Sequence, residues 1–131
     1  MTVIDLDEPV GKWFEMEGGG RVQLRTLTAD ILKAIRKQTV KKKVDFKKVE
    51  GTPVRLEYEE INEDLQNELF WEQIIIAWEN LFDGKGNEIP CTKENKTMLM
   101  TRSVKFARFI SDSLKILAED EQRELEASEK N

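Results

Sequence analysis

The sequence predicts an α+β fold that is mainly α, with a small antiparallel β element in the first half and helices in the second. Three observations carry this. Three consecutive glycines, Gly18 to Gly20, separate two short stretches that read as strands. Residues 54–60, "VRLEYEE", alternate apolar and polar side chains. From about residue 62 onward, apolar residues recur at helical spacing.

Taken in order, residues 1–9 form a lead-in that ends at Pro9. Strands are expected near 10–16 and 21–25, around the glycine turn. Val22 and Leu24 lie on one face of the second strand, with Arg21, Gln23 and Arg25 on the other. "LTADILKAIRKQTVKKK" reads as a helix capped by Thr28, with Asp30 in its positive first turn. Leu27, Ile31, Ile35 and Val40 form its apolar stripe. "KKKVDFKKVEGTP" loses that period and contains Gly51 and Pro53, so it reads as a loop or an irregular edge. A half-buried strand follows near 54–58, with Val54, Leu56 and Tyr58 on one face.

The strongest helical signal covers 62–82. It opens at Asn62 with Glu63 and Asp64, and Leu65, Leu69, Trp71, Ile75, Ile76, Trp78 and Phe82 cover a broad apolar face. This is the expected central core helix, closed at "DGKG". Thr92 is expected to cap a short helix near 93–101, and Ser103 to open a last one near 103–120. The latter carries Val104, Phe106, Ala107, Phe109, Ile110, Leu114 and Leu117. The whole chain reads as a single domain, 1–131, with flexible ends at 1–9 and 119–131.

Composition narrows the function. The chain has 131 residues and no histidine, which excludes Ser-His or Cys-His nucleophiles and His-ligated zinc or haem. Cys91 is the single cysteine, so no internal disulfide forms. The reading is a non-enzyme with no cofactor and no metal. No apolar run is long enough to span a bilayer, and the acidic N-terminus lacks the layout of a secretion signal, so the cytoplasm is the expected compartment. Charge is uneven: residues 1–60 carry 12 basic and 11 acidic side chains, residues 61–131 carry 9 and 15.

Several features invite a sharper chemistry. Asp83 and Glu94 stand first and twelfth in a window that resembles a calcium loop. Lys85 at the third position, Glu88 in place of the turn glycine, and Pro90 argue against it. A cap, a turn and a new cap account for the segment. The lysines between Lys33 and Lys48, notably Lys41, Lys42, Lys43, Lys47 and Lys48, form a basic contact patch. Without interleaved aromatics other than Phe46, it reads as a solvated face before a nucleic-acid site. Trp71, Trp78, Phe82, Phe106 and Phe109 read as core before groove. Lys93 is expected to lower the pKa of Cys91 slightly.

The segment "WENLFDGKGNEIPCTKENK", followed by the helical "VKFARFISDSLKIL", resembles the tail assembly chaperones of long-tailed, non-contractile bacteriophages and prophages. Asp83, Gly86, Ile89, Pro90, Thr92, Glu94 and Asn95 fill the loop pattern D-x-x-G-x-x-[IL]-P-x-[ST]-x-E-N. The likeness covers roughly residues 10–118. It implies a protein of the host cytoplasm that binds the tape-measure protein, keeps it soluble, aids polymerisation of tail-tube subunits and is absent from the mature virion. The implied partners are the tape-measure and tail-tube proteins. Self-association is left open, and neither membrane nor nucleic acid is expected. The partner-binding face is assigned to Phe106, Phe109, Ile110, Leu114 and Leu117. Such proteins are often made in two lengths by frameshifting, and Glu129, Lys130 and Asn131 are compatible with a slippery A AAA AAC sequence in the gene. The alternative is a small phage or bacterial adaptor or regulatory protein that uses the Lys33–Lys48 patch to hold nucleic acid or an acidic partner.

Overall fold

The structure, a computed structural model, describes residues 1–4, 6 and 10–129, the last two of these for their backbone only. The expected Pro9 boundary lies outside the described residues, as do Lys130 and Asn131. The elements run β1 (Lys12–Glu15), β2 (Arg21–Leu24), α1 (Ala29–Thr39), β3 (Val40–Val49), β4 (Thr52–Ile61), α2 (Glu63–Ile74), β5 (Ile75–Glu79), α3 (Lys93–Arg102) and α4 (Val104–Glu129). The fold is α+β, as the sequence indicates.

Three antiparallel strands in the order β1-β2-β5 form the central sheet. Val22 pairs with Trp78, and Leu24 with Ile75, so these four side chains share the inner face. They meet Ile74 and the α4 residues Phe106, Ile110 and Leu117 in one core. Val22, Leu24 and Ile75 are fully buried. The outer face is solvated: the Arg21 guanidinium lies 4.2 Å above the Trp13 ring and donates to Glu79 at 2.7 Å.

β5 corrects the expected helix over 62–82. That helix ends at Ile74, and the chain continues as a strand. A continuous apolar run fits a buried helix or a buried strand equally well, and "QIIIAW" contains three consecutive β-branched residues that favour the strand. Tertiary hydrogen bonds close the helix. Arg25 Nε donates to the carbonyl of Gln73 at 2.8 Å, and Lys96 Nζ to that of Glu72 at 3.2 Å. These satisfy orphan carbonyls of the last turn. Between Gln23 and Leu24 the register with β5 shifts, which leaves Ile76 unpaired as a bulge.

The lysine-rich segment is the second correction. It is not a loop: α1 stops at Thr39, and residues 40–49 pair with 61–52 over ten antiparallel positions. Glu50 and Gly51 form the turn, both with positive φ (52° and 77°), as a two-residue type I′ hairpin requires. At the far end Asn62 N donates to the carbonyl of Thr39 at 2.8 Å, which extends the same ladder to the arm's root.

Finally, α4 runs on to Glu129, past the expected end near 120. Thr26 Oγ1 donates to the Glu121 carboxylate at 2.9 Å, and Lys12 pairs with Glu124 at 3.2 Å, so the tail of the helix lies alongside the sheet's edge.

Candidate functional site

Two regions stand out: the β3–β4 arm, and the junction between β5 and α3.

The arm emerges between α1 and α2, and its two strands form a separate two-stranded sheet. Its base is held by Arg36 on α1, which donates to both carboxylate oxygens of Glu59 at 2.9 Å. Beyond the base, nearly every side chain on both strands is exposed. The strand expected to be half-buried is therefore uncovered: Leu56 and Tyr58 are 41% and 49% exposed, and Phe46 reaches 69%.

Cross-strand pairing sorts the side chains into two faces. Val54, Leu56 and Tyr58 lie opposite Lys47, Asp45 and Lys43, making an apolar stripe beside a basic one. The other face carries Val44 and Phe46 opposite Glu57 and Arg55, with Lys42 opposite Glu59 and Lys48 opposite Pro53. The expected basic patch is thus one strand of the arm. Lys41, Lys43 and Lys47 point to one face, Lys42 and Lys48 to the other.

The residues expected to bind a partner lie elsewhere. Phe106, Ile110 and Leu117 are 4%, 1% and 1% exposed, in the core against the sheet. Phe109 and Leu114 are partly buried against the same core. The helical spacing that made them candidates is the signature of a face folded inward. Of the aromatic set, Trp78 and Phe106 meet edge to face at 5.9 Å, Trp71 and Phe109 pack against the core, and Phe82 is exposed. Sequence reading noted Phe46 but did not place it with Val44 on the exposed face of a strand. Their period-two spacing with Val40 was the available signal, obscured by the lysines between them.

At the junction, the calcium-like window resolves into a turn and a cap. Asp83 Oδ1 accepts from the backbone N–H groups of Lys85 (2.9 Å) and Asn87 (3.0 Å), and Asp83 N donates to the Asn87 carbonyl. These bonds, chiefly with the Asn87 amide, hold the Asp83 carboxyl below its ordinary pKa. Glu94 lies in the first turn of α3 instead. Among the described residues no three His, Cys, Asp or Glu side chains converge to hold a metal ion.

The "IPCTKEN" stretch explains its own residue types. Trp78 Nε1 donates to the Ile89 carbonyl at 2.6 Å, fixing the loop to the sheet. The Pro90 carbonyl accepts from both Thr92 N (3.0 Å) and Asn95 Nδ2 (2.9 Å). Thr92 Oγ1 in turn accepts from Asn95 N, capping α3. Thr92→Ala is accordingly expected to lower stability by about 1 kcal/mol, measured by urea denaturation. Burial raises the Cys91 pKa, outweighing the nearby Lys96 ammonium; the expected lowering by Lys93 is not what the geometry produces.

Asp83 makes the stability of the fold depend on pH. Its folded pKa is depressed, so its stabilising contribution is present above the unfolded carboxylate value of about 3.9. That contribution is lost as pH falls through the folded value. Glu79, lowered by its bond from Arg21, behaves likewise. Asp83→Ala should therefore narrow the gap in urea midpoint between neutral and acidic pH; an unchanged gap would remove Asp83 from the account.

The class defined by these features is a small α+β protein with a packed sheet-and-helix body and one solvent-exposed β arm. Residues 21–131 match the family described as YdaY prophage protein, and the chain belongs to that family. The match covers the arm, the junction and every helix. No curated protein and no solved structure matches the chain. Among the described residues, no helix is long and apolar enough to cross a membrane.

Proposed function

We propose that this prophage protein is a tail assembly chaperone, one that holds the tape-measure protein in soluble form and aids tail-tube polymerisation in the host cytoplasm. The observation that carries the reading is the arm. It presents Phe46, Leu56 and Tyr58 to solvent, interleaved with charge, on a hairpin that the body leaves uncovered. Exposed apolar residues grouped on a projecting element are suited to masking the amphipathic surface of another chain. The prophage family supports the setting. The loop from Asp83 to Asn95 resembles that of tail chaperones, and its hydrogen bonds give it a structural part, orienting α3 against β5.

The binding face assigned here is the arm, since the inner residues of α4 are occupied by the core. Thr39 and Asn62 are already joined by a hydrogen bond, so residues 41–60 can be replaced by a short turn without disturbing the body. Co-expression with the tape-measure protein of the same prophage tests the reading. The full chain should keep that protein soluble and co-purify with it. The arm-deleted chain should retain its helical circular dichroism and cooperative melting yet lose the co-purification. A tape-measure protein that stays insoluble beside the full chain would overturn the proposal.

A further inference from the structure

The arm has a structural problem that its own residues can solve. A two-stranded hairpin is marginal in water, and three or more strands with a hydrophobic face are needed for independent stability. Here two strands of ten residues each stand alone, with both outer edges unpaired among the described residues.

The ladder fixes which backbone groups face outward. In a two-residue hairpin the residues flanking the turn, Val49 and Thr52, exchange hydrogen bonds, and bonded pairs then recur at every second position. The Asn62–Thr39 bond has the same parity. Residues 53, 55, 57, 59 and 61 therefore turn their N–H and C=O groups to the outer edge of β4. Pro53 fits this parity, because an outward position has no N–H to give to β3.

We propose that a second copy of this chain pairs along that edge, β4 antiparallel to β4, about a two-fold axis through Leu56. In this register Arg55 faces Glu57 of the other copy, twice over. On the opposite face Leu56 meets its own symmetry mate and Val54 meets Tyr58. No carboxylate faces a carboxylate: Glu59 lies opposite Pro53, and Glu60 opposite Thr52. Within one chain Arg55 already reaches Glu57 at 3.2 Å, so both side chains sit on the face where the cross-copy pair forms. The result is a four-stranded sheet in which Val54, Leu56 and Tyr58 from both copies make one continuous apolar stripe.

The other edge explains the lysines. β3 carries five lysines against one aspartate, so two β3 edges repel. Assembly through β4 therefore closes at two, with lysine-rich edges outermost.

The purified chain alone tests this, so the outcome is independent of the chaperone reading. Light scattering should give twice 15.3 kDa. R55E and E57R should each shift to the monomer mass, and an equimolar mixture of the two should return to the doubled mass, since each then faces its opposite across the axis. The charge pair inside one chain is restored in neither variant, so only pairing between copies explains the recovery. In a C91S background, L56C should form a disulfide-linked dimer on mild oxidation, while V44C, similarly exposed on the β3 edge, should not. A wild-type chain that stays at 15.3 kDa at high concentration, equal cross-linking at both positions, or a mixture that remains monomeric would each overturn the proposal.

Discussion

Trp78→Ala is expected to cost about 3–5 kcal/mol, the range for removing a buried aromatic side chain. Domains of this size are stable by about 5–15 kcal/mol, so the variant should lose a large share of the fold's stability. Three separate contacts end at this ring. It is 7% exposed within the core, it meets Phe106 edge to face, and its Nε1 donates to the Ile89 carbonyl. The sheet, α4 and the loop leading to α3 are thus held by one side chain. Trp78→Phe separates the contributions. It keeps apolar contact with Phe106 but leaves the Ile89 carbonyl without its indole donor, at a cost of about 1–3 kcal/mol. Urea denaturation of the three proteins measures both steps. If Trp78→Phe unfolds with the wild type, the indole bond does not hold the loop.

Gly11→Ala should be the second large effect, about 3 kcal/mol from overpacking and backbone strain together. Gly11 has φ +87°, and a Cβ there would lie 2.5 Å from the Leu24 carbonyl oxygen and 2.7 Å from Cδ1 of Ile76. The carbonyl belongs to the central strand and cannot withdraw without breaking the sheet. Gly84→Ala is the matched control, since a Cβ there meets nothing within 4 Å and φ is not in the left-handed region. The pair should differ by several degrees in melting temperature, with Gly84→Ala near the wild type. Equal melting would show that β1 and its lead-in readjust around position 11.

Much of the body was legible in the sequence because local signals and tertiary packing agree there. Thr28, Asn62, Thr92 and Ser103 each read as helix caps, and each side chain accepts the expected backbone N–H. The faces of β2 follow directly from alternation. Agreement failed at two places. Residues 74–76 are apolar on every side, and a run buried all round carries no period by which strand and helix differ. The choice was made by β2, whose free edge offered partners to Ile75, Ala77 and Trp78. Along residues 40–49, the lysine run hid a period-two apolar pattern, and Glu-Gly lacks the usual Asn-Gly or Asp-Gly signature of a type I′ turn.

The candidate site was less legible, for the same reason. Helical spacing of Phe106, Ile110 and Leu117 shows that they form one face of α4, and says nothing of what covers it. In the folded chain that cover is the protein's own sheet. The alternation of Val54, Leu56 and Tyr58 shows one apolar face of β4, and among the described residues no element of the body arrives there. What the sequence by itself determined is therefore local: caps, turns, the side of each strand or helix that is apolar, and the absence of histidine chemistry. Tertiary structure alone decided which apolar faces are covered. Covering requires contacts between residues far apart in the chain, and amphipathic periodicity is identical whether the opposing surface belongs to the same molecule or to another.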